Sequence, residues 1–445
     1  MTQALAPLKP APRRHDREIL ALAVPAFGAL VAEPLFVMAD SAIVGHLGTP
    51  QLAGLGIAAA LLTTAVSVFV FLAYATTAAV SRRVGAGDLR AAIRQGMDGI
   101  WLALLIGAAV VAVLLPAAPW LVSLFGASET VAPHAVTYLR ISALGIPAML
   151  MVLAATGVIR GLQDTRTPLY VAIGGFALNA GLNGALVYGA GFGIAGSAWG
   201  TVIAQCAMAG AYLFVVIRGA RRHRASLRPD PAGIRACAQA GVPLLVRTLS
   251  LRAVLVIATA VAARLGDADI AAHQILLSLW SLLAFALDAI AIAGQAIIGR
   301  YLGAGDTDGA KAVCRRMVQW GIASGIVLGV LVVAARPLFI PLFTGDPVVK
   351  DALLPALLVV AVSQPVCGIV FVLDGVLMGA GDGRYLAWAM LLTLAVFTPA
   401  ALLVPALGGG LTTLWWAMTL MMLVRMATLQ LRARSGRWLV AGATR

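Results

Sequence analysis

Twelve apolar runs punctuate the chain, at residues 19–45, 52–80, 94–118, 131–158, 168–190, 194–217, 237–263, 270–298, 316–340, 350–377, 385–405 and 411–431. As helices, with a rise of about 1.5 Å per residue, they are long enough to cross about 30 Å of hydrocarbon. Open strands leave backbone polar groups unpaired in lipid, so the pattern predicts helices. The expected fold class is an all-α polytopic membrane protein with twelve transmembrane helices. Composition strengthens this reading, since 61% of residues are hydrophobic and only 11% charged. Soluble domains run near half apolar and a quarter charged, the polar share their surface requires. The 47 glycines and 21 prolines suit membrane helices, which tolerate both.

A formal net charge of +14 would fit a nucleic-acid partner, but its distribution argues for none. The cations cluster in the N-terminal tail and in alternate connections, such as "SRRVGAGDLRAAIR", "RGLQDTRT" and "RGARRHRASLRPDPAGIR". The intervening connections hold only Arg264, Arg336 and Lys350. By the positive-inside rule both termini are cytoplasmic. No small-residue cleavage site follows a short apolar core, so the first run reads as a retained helix. Cys206, Cys237, Cys314 and Cys367 form no paired or metal-like spacing, and small buried hydrophobes are their plain reading. The alanine-rich composition points to a bacterial cytoplasmic membrane.

The chain repeats itself. "GAGD" at residues 85–88 returns 218 residues later, at 303–306, and the same offset carries Pro25 to Pro243, Arg82 to Arg300, Pro147 to Pro365 and Asp164 to Asp382. The expected organisation is a tail over 1–18, a six-helix bundle over 19–217, a basic linker over 218–236, a second bundle over 237–431 and a tail over 432–445. Because each repeat has an even number of spans, the two bundles are parallel, as in transporters that bind substrate between halves. The acids of the first run break the symmetry: Glu33 maps to Leu251 and Asp40 to Ala258.

"LAVPA" followed by "DSAIVGHLG", the "GAGD" connection, "YLRISALGIP", "RGLQDTRTP", "AAHQI" and "LDGVLMGAGD" together resemble the MATE multidrug and toxic-compound extrusion family, most of all its DinF-like branch. The resemblance covers nearly the whole chain. It implies two six-helix bundles around a V-shaped central cavity and cation-coupled export of organic, mostly cationic compounds. It also implies that Asp40 is the coupling acid. It places Asn179, Asn183 and Thr201 beside that acid, and gives Pro25 the role of a bend in the first helix when the acid is protonated. Some relatives carry a second carboxylate where Asn183 stands. An amide takes no proton and supplies no charge, so protons are favoured over sodium.

The residues themselves support a site. A carboxylate at membrane depth costs at least about 2.5 kcal/mol when charged, and burial favours its protonated form. Asp40, late in its run, therefore reads as a proton carrier that attracts cations when deprotonated and releases them when neutral, or as a helix-end acid near the outer surface. Glu33, seven residues earlier, shares its helix face and is a second proton site or an arginine partner. Asn179 and Asn183, four apart, read as a coupling site or an interhelical amide pair. Pro25 reads as a hinge or a static kink, as does its counterpart Pro243. Gln274, Ser278, Ser281, Asp288 and Gln295 keep one helix face polar, which reads as cavity lining or as hydrogen-bonding glue inside the bundle. Arg247 and Arg252 lie deep in the seventh run. They read as structural ion pairs or as an anion site lining the cavity, with Asp288 the nearest partner by topology and Glu33 or Asp374 as others. Asp374 itself reads as capping or snorkelling near the end of its run.

There is no Ser/His/Asp set, no HExxH and no Walker loop, so neither enzyme chemistry nor a cofactor or metal is expected, and an ion gradient must supply the energy. The expected function is a proton-coupled antiporter, monomeric in the lipid bilayer, exporting small organic cations or amphipathic drugs. The alternatives are sodium coupling and a flippase for an anionic lipid-linked precursor, for which Arg247 and Arg252 would be the recognition groups. A channel or scaffold would not need a buried acid in one half only.

Overall fold

The computed structural model describes residues 12–444, with side chains from residue 15 onward except at positions 33 and 35–42. The described residues form helices and no strand. The first half contains α1 (Pro12–Gly45), α2 (Thr49–Val68), α3 (Phe71–Gly85), α4 (Leu89–Ser123), α5 (Ala132–Ala143), α6 (Ile146–Gly161), α7 (Arg166–Gly184) and α8 (Gly193–Arg222). The second contains α9 (Pro231–Leu265), α10 (Asp267–Gly303), α11 (Thr307–Phe343), α12 (Pro347–Gly379), α13 (Gly383–Ala406) and α14 (Leu411–Ser435). Among the described residues ten stretches are long and apolar enough to cross a membrane, α2 and α3 counting as one, and α5 with α6, bent by 48°, makes an eleventh. The 34-residue α1 covers the first apolar run.

Shifted by 218 residues, Thr49 falls on Asp267, Gly85 on Gly303, Gly161 on Gly379 and Gly193 on Leu411, each a helix boundary in both halves. The irregularities, by contrast, lie in the first half. α2 and α3 part at Phe69–Val70 and α5 and α6 at Leu144–Gly145, while α7 ends in a π-turn, Ala185–Gly189. Their counterparts α10, α12 and α13 run unbroken. Proline alone does not explain the α5–α6 break, because Pro365, the equivalent of Pro147, sits inside continuous α12. The neighbouring residue differs. Gly145, a poor residue for a helix interior, is replaced by Ser363, which costs a continuous helix less.

Lipid supplies no hydrophobic drive for helix association, so close packing must hold the bundles together. In the second half Gly321, Gly325 and Gly329 line one face of α11 and meet the α12 backbone at Gly368, Gln364 and Ala361. The "GAGD" repeat is a helix stop and restart. Gly87 and Gly305 take φ of 80° and 79°, a left-handed conformation open to glycine. The next residue caps the following helix: Asp88 accepts from the Ala91 amide at 2.8 Å, and Asp306 from the Gly309 amide at 2.7 Å.

The first glycine of each motif closes the molecule. A Cβ at Gly85 would overlap the carbonyl of Arg300, and one at Gly303 would overlap the carbonyl of Arg82. The repeat interchanges these two contacts, so the halves meet through a pseudo-twofold seam at the end that carries the basic connections. Gln163 of the first half donates to the Ala296 carbonyl at 2.9 Å, and Gln295 of the second to the Tyr74 carbonyl at 2.5 Å. The Arg82 guanidinium donates to the carbonyls of Ala380 at 2.8 Å, Gly442 at 3.1 Å and Val440. This C-terminal segment is anchored by Trp438, which is 1% exposed. Asp16 adds an ion pair with Arg316 at 2.6 Å and accepts from the Trp320 indole at 2.8 Å.

Two outcomes follow from this seam. Gly85→Leu should wedge it apart at a cost of about 1–3 kcal/mol. A cysteine placed at Gln163 should then react several-fold faster with a water-soluble maleimide. The Arg316 and Trp320 hydrogen bonds hold the Asp16 carboxyl down, from 3.8 to about 2. A depressed folded-state value stabilises above the unfolded value and is lost as pH falls through the folded one. The Asp16 tie should thus be intact above about pH 4 and disappear as pH approaches 2, a change that Asp16→Asn removes from an acid melt.

Candidate functional site

Two polar centres occupy the apolar interior, one in each half. In the first half Asn179 and Asn183 are buried on one face of α7. The Asn183 amide donates to Asn179 Oδ1 at 2.8 Å, the Asn179 amide to Thr201 Oγ1 at 3.0 Å, and the Thr201 hydroxyl to the Ser197 carbonyl at 3.1 Å. The chain runs from α7 to α8. Gly200 makes room for it, because a Cβ there would strike Asn183 Oδ1. The sequence resemblance had grouped these three residues, and the structure brings them together.

Helix α1 packs along α7. Gly28 lies against Leu169, and the Tyr188 hydroxyl, in the π-turn, donates to the Ile43 carbonyl at 2.6 Å. These two contacts fix a parallel register that sets backbone position 40 level with Asn183. The side chains of Glu33 and Asp40 lie outside the described residues. Pro25 and Pro34 both fall within α1, and Pro243 within α9.

The second centre is charged. Arg247 of α9 grips Asp374 of α12 through Nε, at 3.1 Å to Oδ1, and through Nη2 to Oδ2. Arg425 of α14 reaches the same Oδ2 at 3.0 Å. All three are under 10% exposed. This corrects three expectations. Asp374 neither caps nor snorkels but holds two guanidiniums. Arg247 is enclosed by an ion pair rather than lining open space, and its bonded partner is Asp374 rather than Asp288. Asp288 sits within electrostatic reach of Tyr74, Arg160 and Arg247, so it balances a cluster that spans the seam. Arg252 is exposed, on the opposite side of α9 from Arg247, and not buried.

The polar stripe of α10 divides. Gln274, Ser278 and Ser281 are exposed, whereas Asp288 is half-buried and Gln295 is 1% exposed within the seam. Between these regions Ala289 and Ile292 pack on Ala26 of α1. The halves therefore join at the basic end, and the outer stretch of the stripe lies open toward the other end. Sequence reasoning missed Arg160, Tyr74 and Arg425. Arg425 could have been found as a lone cation in the twelfth apolar run. Tyr74 carried no such signal. Among the described residues no group of three or more His, Cys, Asp and Glu side chains could hold a metal ion.

Two repeated six-helix lobes, joined at one end and presenting polar residues beyond the joint, define a secondary-transporter architecture. A family model described as MatE matches the chain twice, over residues 25–184 and 243–403. The chain belongs to the MatE family of multidrug and toxic-compound efflux transporters, whose members handle small organic substrates and drugs. The chloroplastic protein DETOXIFICATION 44 of Arabidopsis thaliana is 32% identical over 437 residues, 95% of this chain and 83% of that protein. DNA damage-inducible protein F of Escherichia coli strain K12 is 29% identical over 453 residues, 96% of this chain and 94% of its own. A MATE transporter of Vibrio cholerae, crystallised in a bent form, shares the fold with a TM-score of 0.86 at 22% identity, covering 96% of this chain and 99% of that one.

Removing one member of a buried ion cluster strands the others. Asp374→Asn should lower the unfolding free energy by about 3–5 kcal/mol. Asn179→Ala, which leaves Asn183 and Thr201 short of a partner, should cost about 1–3 kcal/mol. Denaturant unfolding in detergent micelles checks both, and equal losses would contradict this ranking.

Proposed function

We propose that this protein is a proton-coupled exporter of organic, mostly cationic compounds, acting in a bacterial cytoplasmic membrane with both termini in the cytoplasm. The observation that carries the reading is the register of α1 on α7, which sets position 40 level with the Asn183–Asn179–Thr201 chain. In this reading Asp40 is the acid that exchanges a proton for a cation, with the neutral groups of that chain as its helpers. The acid of the other half, Asp374, is held by Arg247 and Arg425 and is not available for that exchange.

With the seam closed at the basic end, this arrangement suits a state open to the outside. A proton entering from there neutralises Asp40 and releases a bound cation. Resetting requires the Gly85–Gly303 seam to open and the far end to close. Each charge carried across is worth about 2.3 kcal/mol per 100 mV. One-for-one exchange of a proton for a monovalent cation is therefore electrically neutral and runs on the pH difference. Sodium coupling fits less well, because amides stand where a second carboxylate would strengthen a cation site. The flippase reading loses Arg247 to its ion pair and keeps only the exposed Arg252.

The test is transport of a fluorescent cationic dye in reconstituted vesicles. An imposed pH gradient should drive it, a sodium gradient without a pH difference should not, and Asp40→Asn should abolish it. Dye movement that survives Asp40→Asn would move the coupling site elsewhere.

A further inference from the structure

On the outer side of the second half, α11 and α14 both rest on α12 instead of packing on each other. The crevice between them holds a cavity of about 710 Å³ at the basic end of the bundle. Leu373 of α12 contributes to its wall, as do Trp438 and Leu439 of the C-terminal segment. Lys311, Arg315 and Arg434 line it. Their neighbours are already used elsewhere: Arg316 pairs with Asp16, and Arg432 with Asp382 at 2.7 Å. Arg315 and Arg434 pair with no acid among the described residues. Lys311 meets only Asp308, at 3.2 Å, whose side chain is 92% exposed.

The repeat provides an internal control. The first-half counterparts of Lys311, Arg315 and Arg434 are Ile93, Met97 and Val216. All three are buried in the apolar core, and there α4 packs directly on α8. The basic crevice is thus an addition to one half and not a consequence of the shared scaffold. Its cations stand at the basic end of the bundle, the level of a lipid headgroup. Further along, α11 turns Ile326, Val327 and Val330 outward, each more than half exposed, as an acyl chain requires.

We propose that this crevice is a binding site for an anionic phospholipid, its phosphate held by Arg315 and Arg434 with Lys311 at the rim, and its acyl chains laid along α11. Guanidinium groups match phosphate oxygens in geometry and stay charged, and basic pockets between membrane helices at a headgroup level suit such lipids. The site depends on neither the coupling ion nor the exported compound.

Binding is read by titrating delipidated full-length protein in detergent with spin-labelled phosphatidylglycerol, phosphatidylcholine or inorganic phosphate. Phosphatidylglycerol should bind saturably and phosphatidylcholine weakly. Arg315→Gln with Arg434→Gln should weaken phosphatidylglycerol about tenfold or more, the loss of one or two charge-assisted bonds. Arg221→Gln with Arg222→Gln, the same charge removed from the end of α8, should leave it unchanged. Equal weakening by both pairs would reduce the effect to net charge and overturn the site. Displacement of the lipid by millimolar phosphate would make this a site for a soluble anion and overturn the lipid assignment. Each variant's melting curve shows whether it is folded.

Discussion

The joint between the halves rests on two missing side chains. At Gly85 and Gly303 the backbone of one half enters the space that a Cβ would fill against the other. In lipid, where apolar surface gains nothing by leaving its surroundings, such approach supplies dispersion contact that bulkier residues would forbid. The contacts are interchanged by the internal repeat, as in an isologous dimer interface fused into one chain. Around them Arg82, Gln163 and Gln295 donate to carbonyls of the opposite half. A joint made of backbone proximity and a few hydrogen bonds is strong while closed, yet exposes few large apolar groups if it opens. That is the property a transporter needs at a gate.

On one scaffold the two halves carry different chemistry. Asn179 and Asn183 of α7 correspond to Phe397 and Ala401 of α13, both fully buried. Arg247, Asp374 and Arg425 correspond to Ala29, Thr156 and Ala207. Each half thus keeps its polar centre where the other packs small or apolar groups. The first half also holds the helix breaks and the π-turn, the kind of irregularity that marks functional segments. The second half has unbroken helices and the ion cluster that joins α9, α12 and α14. The basic crevice lies on the half that carries the ion cluster.

The ion cluster also shows why buried charge need not mean a transport site. Two guanidiniums on one carboxylate leave a net positive charge in low dielectric, which is costly unless another acid answers it. Asp288 lies within electrostatic reach of that cluster and also of Arg160 in the other half. The same residue that reads as cavity lining on a helical wheel is, in space, a counter-charge at the seam.

The family resemblance grouped Asn179, Asn183 and Thr201, and the sequence by itself determined the class and the repeat. These follow from periodicities and identities that survive any packing: twenty apolar residues must cross a bilayer as a helix, and a 218-residue offset needs no coordinates to be seen. Only the tertiary structure decided partners. Asp374 rather than Asp288 took Arg247, Arg425 entered unannounced, Arg252 stayed exposed, and the α10 stripe split into an open and a buried stretch. Partner choice depends on how helices far apart in the chain are rotated against one another. A side chain's spacing along its own helix carries no information about that rotation.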